Sequence, residues 1–191
     1  MTTVFFIRHA ESDLSVHDDR IRPLTEKGMN DRSLVTGFLQ DKSINAVLSS
    51  PFRRAVDTVA DFAERNGIEI ETIEDFRERD VGGEWLSDAD FWAFVERAWA
   101  DFSYTRSGDE CLAKVQERNI AALNAVLHKH EGQNIAIGTH GTAMSTIINY
   151  YDRSYRFQDF MAIVKITPWV VKMEFNGTDF IGMEKIDLFN S

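Results

Sequence analysis

The sequence predicts an α/β fold built on a parallel or mixed sheet with both faces covered. Three observations carry that expectation. Thr3-Val4-Phe5-Phe6-Ile7 is an unbroken run of β-branched and aromatic residues, the pattern of a strand buried on both sides. Asn134-Ile135-Ala136-Ile137-Gly138 is a second such run. Between them the chain alternates helical and strand-like patterns. Each run ends at a histidine, Arg8-His9 after the first and Thr139-His140 after the second. Open α/β sheets bind ligands in crevices at the carboxyl ends of their strands, so these two junctions are the first candidate site.

The elements follow in order. Residues 12–23 are a polar loop. Thr25 then caps a helix whose apolar stripe is Leu34, Val35, Phe38 and Leu39. Residues 44–48 read as a strand, followed by Ser50 as N-cap and Pro51 as first helical residue of the next helix. That helix carries Arg53, Arg54, Val56, Val59, Ala60 and Phe62, and Gly67 ends it. Residues 68–73 alternate apolar and acidic, as a short edge strand does. The charged stretch 76–85 is a site loop by composition. Ser87 caps a helix with a broad aromatic face: Phe91, Trp92, Phe94, Trp99 and Phe102, which reads as core. A long helix over about 109–130 buries Leu112, Val115, Ala122, Leu123, Val126 and Leu127. A helix over 143–150 follows the second histidine junction. From 163 the pattern turns to strand, over 164–167, 169–175 and 180–188, with Asn176-Gly177 as a hairpin signal.

Composition bounds the function. With 191 residues the expectation is one domain, 1–191. No apolar run is long enough to span a membrane, and no secretory signal precedes the first strand. The single cysteine, Cys111, excludes an intramolecular disulfide, reads as structural, and fits a cytoplasmic location. A net charge of −10 without a basic stripe argues against nucleic acid as a partner. Yet Arg8, Arg53, Arg54, Arg77 and Arg79 cluster near predicted strand ends, which suits a small anionic ligand. His128 and His130 close the long helix, two residues apart. They do not share a helix face and suggest no metal site. No metal or cofactor is implied, and the sequence sets no oligomeric state.

Four strand or turn exits offer Arg8-His9, Arg54, Glu78 and His140. Two arginines, two histidines and one carboxylate suit phosphoryl transfer through a phosphohistidine. Guanidinium forks match phosphate oxygens two at a time. A neutral imidazole is a competent nucleophile near neutral pH. An alkoxide leaving group needs a proton from a nearby acid.

At these residues the chain resembles the histidine phosphatase superfamily, the phosphoglycerate mutase-like family. Arg8-His9-Ala10-Glu11-Ser12 is similar to its Arg-His-Gly-Glu-Ser/Thr signature, and Pro23-Leu24-Thr25-Glu26-Lys27-Gly28 to its Pro-Leu-Thr-x-x-Gly. Ser49-Ser50-Pro51-Phe52-Arg53-Arg54-Ala55-Val56-Asp57-Thr58 resembles Ser-Ser-Pro-x-x-Arg-Ala-x-Gln-Thr. The stretch 76–82 resembles the acid-bearing segment, Gly83-Glu84-Trp85 its Gly-x-Trp, and Thr139-His140-Gly141 its second His-Gly. Five matches in the right order are specific where any one is weak. The resemblance implies a mostly parallel central sheet with helices on both faces. It implies that His9 is the nucleophile, that Arg8, Arg54 and His140 clamp the phosphoryl group, and that Glu78 is the acid and then the base. The Gly141 N–H joins the clamp, and Arg53 falls on a variable, surface position. The departures are Ala10 for glycine, Leu14-Ser15 for Trp-Asn, and a loop over 12–23 shorter than in the mutases; Ser15 is then the residue set to replace the asparagine at the phosphate. Between Glu78 and His140 the mutases carry a longer basic insertion, whereas here the insertion is one aromatic helix and a short loop whose only arginines are Arg97 and Arg106. The expected function is therefore a phosphatase acting on a small phosphomonoester. A phosphoglycerate mutase and a catalytically silent binder of phospholigands or proteins are the alternatives.

Overall fold

The computed structural model describes residues 1–82, 86–106 and 108–190. Six strands form one sheet: β1 (Thr2–Arg8), β2 (Ala46–Ser49), β3 (Ile70–Thr72), β4 (Asn134–Thr139), β5 (Trp169–Asn176) and β6 (Asp179–Ile186). Their spatial order is β3-β2-β4-β1-β5-β6. The contacts β3-β2, β2-β4 and β4-β1 are parallel, while β5 and β6 add antiparallel to the far side. The sheet is thus mostly parallel, as expected, and β3 is an edge strand.

Strand alternation sorts the helices. In β1, Val4 and Phe6 face one side; Phe5 and Ile7 face the other. Phe5 and Ile7 join Val47, Ala136 and Val170 against α1 (Glu26–Leu39) and α2 (Arg53–Asn66), through Val35, Leu39, Val59 and Phe62. Val4 and Phe6 join Ile135, Ile137 and Val171 under α3 (Asp88–Ala100), α4 (Leu112–Lys129), α5 (Gly141–Tyr151) and α6 (Phe157–Ile163). The aromatic face of α3 is core: Trp99 stacks on Phe160 with ring centroids 5.5 Å apart. The six residues expected to be buried on α4 are all buried.

Local chemistry fixes most element ends where the sequence puts them. The Thr25 side chain accepts the Gly28 N–H, the Ser87 side chain accepts the Asp90 N–H, and Gly67 ends α2 in the left-handed region at φ 65°. Three expectations need correction. Ser50 and Pro51 do not start α2; its N-cap is Phe52, because the Ser50 hydroxyl has a longer-range partner described below. Cys111 sits just before α4, buried, rather than within it. Residues 164–167 are not a strand: α6 precedes them, with Phe157 and Phe160 one turn apart, and the carbonyls of the turn after it serve a buried arginine instead of a neighbouring strand. Gly83-Glu84-Trp85 lies outside the described residues.

Hydrogen bonds tie the sequence motifs together. The Glu11 carbonyl accepts the Thr25 N–H at 3.0 Å, and the Thr25 hydroxyl donates to the Glu11 carboxylate at 2.9 Å. Thr58 Oγ1 accepts the Ala10 N–H at 3.0 Å and donates to the Arg54 carbonyl. Ala10 has no positive φ, so its Cβ is accommodated. At Gly28 the chain after β1 passes too close for any side chain: a Cβ there would lie 2.1 Å from the Glu11 carbonyl oxygen. Gly37, exposed in the middle of α1, has nothing within 4 Å of the same position. Gly28→Ala is therefore expected to destabilise the protein by about 3 kcal/mol, and Gly37→Ala to stabilise it by about 0.5–1 kcal/mol. Urea unfolding of the two variants checks both signs.

Candidate active site

The site is built on the register of β1 against β4. Arg8 lies opposite Thr139, and the His9 N–H donates to the Thr139 carbonyl at 3.0 Å. The residues that follow the two strands are therefore neighbours, and the His9 and His140 rings meet edge to face with centroids 5.3 Å apart. His9 is half-buried. Its Nδ1 lies 2.7 Å from the Ala10 carbonyl, which can only accept, so Nδ1 carries the proton and Nε2 keeps its lone pair. Burial, followed by the charges of Arg54 and Arg8, holds His9 well below the usual imidazole range. The ring is neutral at physiological pH.

His140 is fully buried, and burial with the Arg54 charge likewise holds it well below the usual range. Its Nε2 lies 2.8 Å from Ser50 Oγ. That oxygen also accepts the Phe52 N–H at 3.2 Å, which leaves the Ser50 O–H free to donate to Nε2. Nδ1 then bears the proton of the neutral ring, and among the described residues it has no partner.

Arg8 is anchored by the turn that follows α6. Nη1 donates to the carbonyls of Ile163 and Ile166, and Nη2 to that of Val164. Nε is buried and has no partner among the described residues. The edge formed by Nε and Nη2 therefore retains one N–H on each nitrogen, the bidentate geometry that a phosphate takes. A Cβ at Gly141 would lie 3.3–3.4 Å from this edge, so only glycine leaves it open. Burial pulls the Arg8 guanidinium down to about 10, and it stays charged at neutral pH.

Arg54, on the first turn of α2, is buried. Nη1 donates to the Asp19 carbonyl at 2.6 Å and Nη2 to its carboxylate at 3.2 Å. The same carboxylate pairs with Arg22 at 2.6 Å. Arg22, itself buried, adds to the positive field on His9. Neither Asp19 nor Arg22 stood among the sequence candidates. The signal was present, since Arg22 directly precedes the Pro-Leu-Thr stretch whose other residues bond to the segment after His9.

Glu78 follows a short 3₁₀ turn (Glu74–Phe76) and docks on the start of α5. Its carboxylate accepts the N–H groups of Thr142 and Ala143, each at 3.0 Å, and of Arg79 at 2.8 Å. The backbone donors of Thr142 and Ala143, at the start of α5, thus hold Glu78. The Gly141 N–H makes no hydrogen bond among the described residues. The Glu78 charge is also felt at Arg8. The Ser15 side chain is exposed and turned to Asp13, with Oγ donating at 2.7 Å. The other clustered arginines are engaged elsewhere. Arg53 is exposed and pairs with Asp57, Arg77 pairs with Asp75 and Glu110, and Arg79 is buried against Asp109 and the Phe94 ring.

Donors that are buried without partners among the described residues, beside a half-exposed neutral imidazole, have the chemistry to receive an anion next to a free ring lone pair. Among the described residues no group of three or more His, Cys, Asp or Glu is arranged to hold a metal, and no helix is long and apolar enough to cross a membrane.

Known proteins resemble this chain in sequence and in fold. A phosphoglycerate mutase-like protein from Arabidopsis thaliana (protein 4) is 26% identical over 165 residues, which is 79% of this chain and 70% of that protein. An uncharacterized phosphatase of Bacillus subtilis, PhoE, is 26% identical over 154 residues, 78% of this chain and 76% of its own. Among solved structures, phosphoserine phosphatase from Entamoeba histolytica in complex with 3-phosphoglyceric acid superposes with a TM-score of 0.78 at 17% identity, covering 98% of this chain and 99% of that one. The profile of the histidine phosphatase superfamily (branch 1) matches residues 4–167, and the chain belongs to that superfamily.

Proposed function

We propose that the protein is a phosphatase that hydrolyses a small phosphomonoester through a phosphohistidine on His9. The observation that carries this reading is the His9 ring itself: neutral, fixed as the Nδ1–H tautomer, and set beside two guanidiniums. In the first step His9 Nε2 attacks phosphorus and the ester P–O bond breaks, with Glu78 in its acid form giving the leaving oxygen its proton. Arg8, Arg54, His140 Nδ1–H and the Gly141 N–H take the charge on the phosphoryl oxygens. In the second step Glu78 accepts a proton from water as the oxygen attacks phosphorus, and the P–N bond breaks to release phosphate and His9.

Two features support hydrolysis over mutase chemistry. The two arginines of the insertion are engaged locally: Arg97 lies over the Tyr104 ring, and Arg106 over Phe94 while donating to the Val81 carbonyl. They are spent on local packing, not offered to a second anionic group of a substrate. A relative named as a phosphatase points the same way, while the mutase-like relative keeps interconversion of 2- and 3-phosphoglycerate as the outcome to score against hydrolysis in a coupled assay. A silent binder has no need of an acid, and Glu78 is held by three backbone donors in register with the helix that begins after His140.

His9→Ala is expected to lower turnover of phosphomonoesters by about 10⁴-fold or more. Inorganic phosphate should still bind through the remaining clamp, with Kd weakened less than about tenfold. Steady-state kinetics and calorimetry measure the two quantities, and activity surviving the change would remove His9 as nucleophile.

The depressed His9 value sets a pH dependence. An imidazole titrating at about 6.5 would lose about tenfold in reactive form by one pH unit below that value. Because His9 titrates well below 6.5, its neutral form persists. Phosphoenzyme formation from p-nitrophenyl phosphate, followed by rapid quench and corrected for substrate ionisation near pH 6, should stay within about threefold from pH 7.5 to 5.5. A loss centred on 6.5 would show that the ring is not shielded.

A further inference from the structure

The loop that bears Glu78 is bolted to α4 by one side chain. Arg118 uses all of its N–H donors there. Nη1 donates to the carbonyls of Asp75 at 2.6 Å and Arg77 at 2.9 Å, and Nη2 donates to that of Glu78 at 3.2 Å. The remaining donors form a fork on the Glu110 carboxylate, Nε at 2.7 Å and Nη2 at 2.9 Å. Both side chains are nearly buried, 11% and 13% exposed. Glu110 closes the ring from the other side. Its N–H donates to the Asp80 carbonyl at 2.8 Å, and its own carbonyl accepts Arg79 Nε at 2.7 Å. The backbone on each side of Glu78 is thereby fixed relative to α4, while the Glu78 carboxylate is fixed relative to α5.

We propose that Arg118, buckled to Glu110, is a positioning residue that sets the Glu78 carboxyl for proton transfer to the leaving oxygen and from water. The proposal rests on the phosphatase reading above. Arg118 makes no hydrogen bond to a clamp residue, and reaches His140 only as a minor contribution of charge; it acts through the backbone of 75–78. A lysine cannot replace it, because a point-like ammonium cannot serve three carbonyls and a bidentate carboxylate together. A displacement of about 1 Å in a catalytic group is enough to cost about 100-fold in rate.

The test uses leaving groups of different basicity. An alkyl phosphomonoester such as glycerol phosphate needs the acid; p-nitrophenyl phosphate, with a stable phenolate, barely does. Arg118→Gln and Arg118→Lys are expected to lower kcat/KM for the alkyl ester by about 30-fold or more and for the aryl ester by less than about threefold. Competitive inhibition by inorganic phosphate should stay within about twofold. A burst of nitrophenol should appear as hydrolysis of the phosphoenzyme slows. Glu78→Gln should show the same pattern, and the Glu78→Gln/Arg118→Gln double variant should be no slower than Glu78→Gln alone. Glu110→Gln keeps the guanidinium and its three carbonyls, and supplies the same leaving-group ratio if Arg118→Gln does not fold. Equal losses for both esters, weakened phosphate inhibition, or multiplicative losses in the double variant would overturn the proposal. Wild-type protein that turns over no phosphoester would sink both readings. Active protein with a leaving-group-sensitive Glu78→Gln and insensitive Arg118 and Glu110 variants would sink this one alone.

Discussion

The parallel pairing of β1 with β4 is the constraint on which the site depends. Parallel strands cannot be joined by a hairpin, so β1 and β4 come from distant parts of the chain and end at the same edge. With Arg8 opposite Thr139, the next residue on each strand is a histidine. A slip of one residue would exchange the two faces of β1, sending Val4 and Phe6 toward α1 and α2 and Phe5 and Ile7 toward the aromatic core. The hydrophobic pattern that fills two unequal cores is thus what holds two imidazoles 5.3 Å apart.

That edge then gathers positive charge where water is scarce. Arg8, Arg54 and Arg22 all act on His9, and the imidazoles respond by staying neutral while the guanidiniums stay charged. This division suits the proposed reaction, in which a clamp needs permanent charge and a nucleophile needs a lone pair. Each arginine is restrained by oxygen atoms: Arg8 by the carbonyls after α6, Arg54 and Arg22 by Asp19. The arginines are therefore aimed before any ligand arrives, and little order is lost on binding.

Much of this was legible in the sequence because it is local. The two buried runs, the Thr25 and Ser87 caps, the Gly67 stop and the turn at 176–178 each follow from the residues beside them. The anchors of Arg8 were not legible, since they are backbone carbonyls and carry no side-chain signature; the same alternation that suggested a strand over 164–167 gives a turn once those carbonyls point at a guanidinium. Ser50 was misread for a related reason. A serine before Pro51 is a good helix cap in isolation, but His140 lies 90 positions away in sequence and 2.8 Å away in space. The apparent similarity of Ala10 and Gly141, each following a site histidine, is also resolved only in space. A methyl group at the first meets open backbone geometry; at the second it would press on Arg8.

The two halves of the proposed chemistry are held by different kinds of structure. The residues proposed to clamp phosphate hang from strand ends and a helix start, where sheet register sets positions. The proposed acid-base group, Glu78, hangs from a loop, where hydrogen bonds from the Arg118 side chain of α4 and the backbone N–H groups of α5 must supply the rigidity the sheet supplies elsewhere. A loop fixed in this way can be changed without disturbing the strands, because Arg118 and Glu110 touch neither β1 nor β4 in any hydrogen bond they make. Anion affinity and proton transfer are then separately adjustable, the first through residues at the sheet edge and the second through α4.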